Sequence, residues 1–139
     1  MPDHFDIAIV GGGIIGLAQA WERAKKGQKV ILFERNPQAQ GASIRNFGMI
    51  WPIGQPDGKM YERAMLSQSI WKEIAAASGI WHDPVGSFHL AYSDLEMEVL
   101  ESFRDSVKNT RNYTLMSPSE ACTHSTAIVH NGLKGGLYS

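Results

Sequence analysis

Residues 5–34 read FDIAIVGGGIIGLAQAWERAKKGQKVILFE, in which two apolar segments flank a glycine cluster and a helical pattern. Phe5 to Val10 predicts a β-strand. Apolar residues then recur at helical spacing from Ile14 to Ala24, and Gly27 predicts the end of that helix. Lys29 to Glu34 predicts a second strand. Two nearly continuous apolar strands joined by a helix indicate a parallel sheet that is buried on both faces.

The glycines after the first strand follow the spacing Gly11-x-Gly13-x-x-Gly16. Gly11 permits a tight turn, Gly13 leaves room for a pyrophosphate beside the backbone, and Gly16 lets the helix lie close to the strand. The helix N-terminus, at Ile14 and Ile15, offers free N–H groups and a partial positive charge. These features predict a Rossmann-like unit that binds the ADP part of FAD or NAD(P). A glycine-rich turn without a ligand is the alternative.

An acidic residue, Glu34, ends the second predicted strand, 18 positions after Gly16. A carboxylate at this place accepts hydrogen bonds from the ribose hydroxyls of adenosine, and it repels a 2′-phosphate, which disfavours NADP. Arg35 follows and is also predicted to contact the cofactor. This pattern predicts binding of an ADP moiety, which FAD and NAD share, so it does not distinguish the two cofactors.

Glycine and proline punctuate residues 36–58, and a loop of this length in a compact domain is usually functional. Residues 41–50 within it read GASIRNFGMI. The glycines allow close backbone approach, the serine and asparagine can bond phosphate or ring edges, and the arginine can offset diphosphate charge. A solvated, weakly basic loop is the alternative. The residues of this loop predicted to contact the cofactor are Ser43, Arg45, Asn46, Gly48 and Met49.

The segment 41–50 resembles the stretch after the glutamate-ending strand in the D-amino-acid oxidase (DAO) superfamily of FAD-dependent oxidoreductases. NAD dehydrogenases have no counterpart, so the resemblance changes the predicted ligand from any dinucleotide to FAD. It implies an enzyme that oxidises a C–N bond of a small amine or amino acid by hydride transfer to FAD. An FAD-dependent 2-hydroxy-acid dehydrogenase of the same fold and a non-catalytic nucleotide-binding module are the alternatives. No catalytic residue is assigned.

The remainder of the chain predicts alternating helices and strands. A helix is predicted over Lys59–Ser78 and a strand over Val85–Tyr92. Serine followed three residues later by glutamate predicts a capping box at Ser93 and at Ser117. Another strand is predicted to start in the tail, from Gly132 to Ser139.

The resemblance also extends to these later segments. It implies that residues 1–84 form the FAD-binding unit with its flavin loop and following helix, and that residues 85–139 begin a substrate domain with an antiparallel sheet. Residues 51–55, 86–91 and 136–139 are most similar to a bacterial subgroup associated with aminophosphonate breakdown.

Complete members of the family are more than twice as long, so the resemblance implies an N-terminal fragment with an incomplete fold. An incomplete parallel sheet leaves open strand edges, which predict self-association of the chain. FAD is expected to bind weakly or not at all, because part of its usual surroundings is absent. The chain by itself is expected to be inactive.

Composition excludes several other classes of function. The net charge of −1, without a basic cluster, argues against nucleic-acid binding. One cysteine cannot form an internal disulfide, and the five scattered histidines lack metal-ligand spacing. The polar N-terminal segment lacks a signal or membrane-spanning pattern, which predicts a cytoplasmic protein.

The sequence also bears on the burial of two tryptophans and on the role of one histidine. Trp71 and Trp81 are interpreted as core residues. His89 is ambiguous, because strand alternation places it on one face with Ser87, near the sheet where the family's substrate pockets lie.

Overall fold

The computed structural model describes residues 4–139, and residues 1–3, the start of the polar N-terminal segment, lie outside the described residues. The chain forms two compact units, of which the first ends at Met49 and the second runs from Ile50 to Ser139. The predicted boundary between residues 84 and 85 is a functional one, between an FAD-binding part and the start of a substrate domain. It stays a prediction.

The first unit contains the predicted strand–helix–strand arrangement. Strand β1 (Ile7–Val10), helix α1 (Ile14–Lys25) and strand β2 (Val30–Phe33) follow one another. β1 and β2 pair in parallel, each residue of one strand facing one residue of the other. A short 3-10 helix, Ala42–Arg45, follows in the loop. The predicted parallel βαβ unit is therefore confirmed.

Burial of this sheet on both faces, expected from its apolar strands, is not found. Ile9 is buried at 8% exposure and lies against Gly16 of α1. Its neighbour Val10 is 89% exposed, and Phe33 at the end of β2 is 54% exposed. Successive strand residues point to opposite faces, so α1 covers one face of the two-stranded sheet and the other face stays open. The expectation was wrong for the described part of the chain.

The second unit contains the predicted antiparallel sheet. Its elements are α2 (Lys59–Ser78), β3 (Phe88–Ala91), α3 (Asp94–Val107), β4 (Thr114–Met116), α4 (Pro118–His124) and β5 (Gly135–Tyr138). β5 lies between β3 and β4 and pairs antiparallel with both. Strand β4 was not predicted, because its three residues are too few to show an alternating pattern.

Helices α3 and α4 cover opposite faces of this sheet. Met97 of α3 lies against Gly135, at the start of the central strand. The imidazole of His124, in α4, lies 5.4 Å from the ring of Phe88 and 5.5 Å from that of Tyr138. The central strand is consequently buried from both sides.

The predicted helix ends are confirmed by their local contacts. At the start of α3, the Glu96 N–H donates to Ser93 Oγ at 3.2 Å, and the Ser93 N–H donates to the Glu96 carboxylate at 2.9 Å. The same capping box begins α4 at Ser117 and Glu120. Gly79 ends α2 with a positive φ of 72°, in the left-handed region that favours glycine.

The interpretation of Trp81 as a core residue was wrong. Its side chain is 84% exposed and lies in irregular chain beyond the end of α2. Trp71, within α2, is partly buried. Trp81 follows a helix and belongs to no helix or strand, so the sequence pattern does not show which part of the chain would cover it. Its burial depends on tertiary packing.

Residues 4–139 contain neither a candidate membrane-spanning helix nor a candidate metal-binding group. No helix in this range combines the length and apolar character needed to cross a bilayer. His, Cys, Asp and Glu side chains do not gather into a group that could hold a metal ion within the same range.

Candidate cofactor-binding site

The glycine turn between β1 and α1 has a backbone that only glycine accommodates well. Gly11 has φ of 104°, a region that side chains with a Cβ rarely adopt, and its N–H donates to the Phe33 carbonyl at 2.8 Å. A Cβ on Gly16 would overlap the carbonyl oxygen of Gly11. These two glycines therefore shape the turn and bring α1 against β1.

The N-terminus of α1 receives a hydroxyl from the following loop. The Ile14 N–H donates to Ser43 Oγ at 2.9 Å, across 29 positions of sequence. Gly13 is the N-cap residue, so no side chain at that position caps the helix. A Cβ on Gly13 would lie 3.3 Å from Ser43 Oγ. Ser43 thus lies where a helix N-terminus attracts an anionic group.

Glu34 is held in place by backbone N–H groups. Its Oε2 accepts from the Gly12 N–H at 2.6 Å, and its Oε1 accepts from the Asn36 N–H at 3.0 Å. The hydrogen bonds from Asn36 and from Gly12 hold the pKa of Glu34 below its usual value. The carboxylate is therefore charged at neutral pH and fixed beside the glycine turn.

An open cleft of about 410 Å³ connects these features. Four of the predicted cofactor residues line it, namely Gly13, Glu34, Arg35 and Ser43. The remaining lining residues were not assigned to the cofactor, although Gly41 was expected to allow close backbone approach. They are Asn36, Ala39, Gln40, Gly41 and Ala42. Their position directly after the acidic strand end could have identified them. The arrangement can bind a diphosphate at the helix N-terminus and a ribose at the carboxylate.

The other predicted residues lie outside the lining of this cleft. Gly11 and Gly16 shape the turn, and Ile14 and Ile15 start α1. The later loop residues Arg45, Asn46, Gly48 and Met49 are exposed.

The later part of the loop forms its own turn. Asn46 Oδ1 accepts from the Gly48 N–H at 3.0 Å, and Gly48 has φ of 73°. The Oδ1 atom of Asn46 thus shapes the backbone, and the predicted bond of this side chain to a ligand stays a prediction. Phe47 and Met49, 91% and 63% exposed, present apolar surface beside this turn.

A polar cluster lies on one face of the sheet in the second unit. The Trp51 Nε1–H donates to Ser87 Oγ at 3.0 Å, and Ser87 Oγ lies 2.8 Å from Ser139 Oγ. The indole of Trp51 stacks on the imidazole of His89, with 5.2 Å between ring centroids and 11° between planes. Trp51, Ser87, His89 and Ser139 form the Trp51–His89 cluster. The contacts confirm that Ser87 and His89 share a face.

Arg111 is a buried cation that the sequence analysis missed. Its guanidinium donates to the Ile53 carbonyl at 2.7 Å and to the Gln55 carbonyl at 2.6 Å. It also forms an ion pair with Asp57 at 2.6 Å and lies 4.0 Å from the centroid of the Tyr61 ring. Arg111 therefore holds residues 53–57 within the second unit. No spacing pattern links it to partners 50 or more positions away.

Comparison with known proteins identifies relatives along nearly the whole chain. The model of the DAO family, described as FAD dependent oxidoreductase, matches residues 6–139. A glycine oxidase from Bacillus licheniformis is 34% identical over 109 residues, which are 72% of this chain and 29% of the relative.

Solved structures share the fold. A glycine oxidase from Bacillus cereus ATCC 14579 superposes with a TM-score of 0.82 and 25% identity, over 97% of this chain and 38% of that one. An L-alpha-glycerophosphate oxidase from Mycoplasma pneumoniae with FAD bound gives a TM-score of 0.74 and 25% identity, over 98% and 37%. The chain thus spans less than two fifths of the length of these proteins.

Proposed function

Because this chain belongs to the DAO family of FAD-dependent oxidoreductases, we propose that it is the FAD-binding part of an enzyme that oxidises a small amine or amino acid. The observation that carries the proposal is the cleft that joins the N-terminus of α1, Ser43 and the fixed carboxylate of Glu34. FAD, when bound, supplies the hydride acceptor for oxidation of a C–N bond.

The residues of the first unit fit the ADP part of this cofactor. The N–H groups of Ile14 and Ile15 belong to the first helical turn, where backbone donors lack intrahelical acceptors. Ser43 Oγ accepts from Ile14. A phosphate oxygen would take the place of this hydroxyl or accept from Ile15. Gly13 leaves space next to Ser43 Oγ that a side chain would fill. Glu34 would accept hydrogen bonds from the ribose.

Further residues are assigned to the cofactor as part of the same proposal. Arg35, which lines the cleft, would lie beside the ribose. Arg45, Asn46, Gly48 and Met49 would follow the cofactor from the diphosphate toward the flavin.

Amine or amino-acid oxidation is supported by the glycine oxidase relatives. Oxidation of a C–O bond is the alternative, and the glycerophosphate oxidase neighbour favours it. A 2-hydroxy acid is the substrate that the sequence suggests for this alternative, and an aminophosphonate is the narrower candidate among amines. Cytoplasmic localisation is part of the same proposal.

The substrate class is tested by anaerobic reduction of the flavin. A protein that carries this chain is reconstituted with FAD and mixed with glycine, sarcosine, D-alanine or an aminophosphonate, and separately with glycerol 3-phosphate or 2-hydroxyglutarate. Bleaching of the oxidised flavin absorbance by the amines alone is expected. Bleaching by the alcohols alone would replace the proposal with C–O oxidation.

Calorimetry on the 139-residue chain distinguishes an FAD-binding part of an enzyme from a non-catalytic nucleotide-binding module. ADP and FAD are titrated in parallel. Tighter binding of FAD than of ADP supports a site that extends beyond the ADP cradle, whereas equal affinity favours the bare module. Weak binding of FAD is expected for this chain, so purification as a yellow protein with FAD absorbance would contradict that expectation.

A further inference from the structure

Residues 51–57 form an irregular segment, the strap, that belongs to no helix or strand. Two of its backbone hydrogen bonds are local. The Gln55 N–H donates to the Pro52 carbonyl at 3.0 Å, and the Pro56 carbonyl accepts from the N–H of Tyr61, in α2, at 3.2 Å. Neither bond reaches the antiparallel sheet, so side-chain contacts must set the position of the strap on the second unit.

Arg111 contacts the strap at three points. Its guanidinium is 1% exposed and donates to the carbonyls of Ile53 and Gln55, at 2.7 and 2.6 Å. It also donates to the Asp57 carboxylate at 2.6 Å. A guanidinium carries its N–H donors in a planar, rigid fork, so three acceptors bound to it are held in one arrangement. The fork therefore fixes the shape of residues 53–57.

Arg111 is itself held by helix α3 and by two aromatic rings. Its backbone N–H donates at 2.9 Å to the carbonyl of Val107, the last residue of α3. Its guanidinium lies 4.0 Å from the centroid of the Tyr61 ring and 5.9 Å from that of Phe103, a residue of α3. The same helix packs on the sheet through Met97. Arg111 therefore ties the strap to an element whose position on the sheet is set by packing.

Trp51, at the other end of the strap, lies on the sheet while staying half-exposed. Its indole donates to Ser87 Oγ at 3.0 Å and stacks on His89, yet the residue is 46% exposed. Only Pro52 separates Trp51 from Ile53, which is 3% exposed. The proline ring fixes the backbone φ between them, so the position of Ile53 is passed on to Trp51.

We propose that Arg111 is a positioning residue, which fixes the strap and thereby holds the Trp51 indole over His89. The strap is then a fixed cover on one face of the sheet, and a residue outside the Trp51–His89 cluster decides which side chain lies there. The inference goes beyond the proposed function, because every contact in it lies within the second unit and none involves FAD.

Arg111→Met tests the proposal by NMR on the 139-residue chain, because it keeps a long side chain and removes every donor of the fork. The His89 ring resonances are expected to lose the ring-current shift caused by the Trp51 indole. The indole N–H is expected to exchange with solvent about tenfold faster or more.

Lys134→Met is the matched control, since it removes a cation from an exposed ion pair with Asp94 in the same unit. It should leave both signals in place. Unchanged His89 and Trp51 signals in folded Arg111→Met, or equal changes in the control, would overturn the proposal.

Two further substitutions separate the fork from the charge. Arg111→Lys keeps the positive charge, but an ammonium does not present the planar fork, so its His89 and Trp51 signals should resemble those of Arg111→Met. Asp57→Asn keeps an acceptor oxygen for the guanidinium, so its signals should match those of the unmodified chain. Recovery in Arg111→Lys together with loss in Asp57→Asn would assign the effect to the ion pair and contradict the role of the fork.

Hydrogen exchange in the unmodified chain tests the strap without any substitution, which covers the case that circular dichroism shows Arg111→Met to be unfolded. The Gln55 backbone N–H and the Trp51 indole N–H are expected to exchange through one opening of the strap. Their protection, relative to the unfolded chain, should then agree within about threefold. An indole N–H that is far less protected than Gln55 would show that the ring moves independently of the strap, and would contradict the proposal.

Discussion

Two glycines beside the cofactor cleft lack a Cβ for different reasons. One is required by helix packing, and the other leaves space next to a side chain. Gly16 is required by the fold, because its missing Cβ allows α1 to approach the carbonyl of Gly11. Gly13 is less constrained, since the nearest atom to a Cβ there is the hydroxyl oxygen of Ser43. A side chain at Gly13 should therefore affect the ligand more than the fold.

Substitution Gly13→Val is expected to weaken ADP binding by about tenfold or more, because the branched side chain would occupy the place proposed for the pyrophosphate. Calorimetric titration of the chain with ADP measures the change. Gly54→Val is the control, since no atom lies within 4 Å of a Cβ at that position in the second unit. Survival of ADP affinity in Gly13→Val would show that the glycine loop has another role.

His89 is expected to make stability depend on pH. Burial lowers its pKa in the folded state from the ordinary value of 6.5, so the unfolded chain binds a proton more readily. Stability from this residue is fully present above pH 6.5 and is lost as pH falls from that value through the folded-state pKa. Urea denaturation across this range measures the effect. His89→Phe should flatten the profile there, and an unchanged profile would exclude His89 as its cause.

At the scale of elements, the capped helices of the second unit are specified by adjacent residues. Ser93 and Glu96 satisfy each other's backbone groups at the start of α3, and Ser117 and Glu120 repeat this at α4. Each box uses residues three positions apart, so its geometry follows from the helix itself. Both helix starts were therefore predictable from the sequence.

Removal of the cap by Ser93→Ala is expected to destabilise the second unit by about 1 kcal/mol, because the Glu96 N–H loses its acceptor. The midpoint of urea denaturation, followed by circular dichroism, reports the loss. Ser102→Ala removes a hydroxyl from an exposed position inside α3 and serves as the control. Equal effects of the two substitutions would mean that the cap contributes nothing specific.

At the scale of the whole molecule, the two units differ in how much apolar surface they enclose. Several large apolar side chains of the first unit are exposed. They include Val10, Ile15, Phe33, Ile44, Phe47 and Met49. In the second unit, the central strand is buried between helices, and Leu137 is 1% exposed. The second unit also exposes large apolar side chains, such as Leu66, Trp81 and Val99, but these lie on helices or in irregular chain. The open sheet face and strand edges of the first unit are therefore the expected place of contact between copies.

Self-association of the 139-residue chain is proposed on this basis, through pairing of the open strand edges. Light scattering coupled to size exclusion should detect dimers or larger species that increase with concentration. Val10→Lys places a charge on the open face of β1 and should shift the population toward monomer. Asn109→Lys, at an exposed position in the turn after α3 and away from any strand edge, is the control. A monodisperse monomer of the unmodified chain at all concentrations would contradict the proposal.

Local patterns were sufficient for much of the fold and for the centre of the cleft. The Gly11–Gly16 spacing, the apolar strands and the capping boxes depend on residues close together in sequence, so the βαβ unit and the helix ends were predicted correctly. The role of Glu34 at a cofactor stays a prediction. The resemblance of residues 41–50 added the family, which the match over residues 6–139 confirms. These features follow from backbone geometry and short-range hydrogen bonds.

Tertiary structure alone decided the remaining features, because they depend on residues far apart in sequence. Ser43 meets the Ile14 N–H across 29 positions, and Arg111 meets the carbonyl of Ile53 across 58. The short strand β4 exists through its pairing with β5. Whether Trp51 covers His89, or Trp81 points into solvent, depends on which surfaces the chain brings together. Periodicity records which face of an element is apolar, and it does not record the distant partner that covers that face.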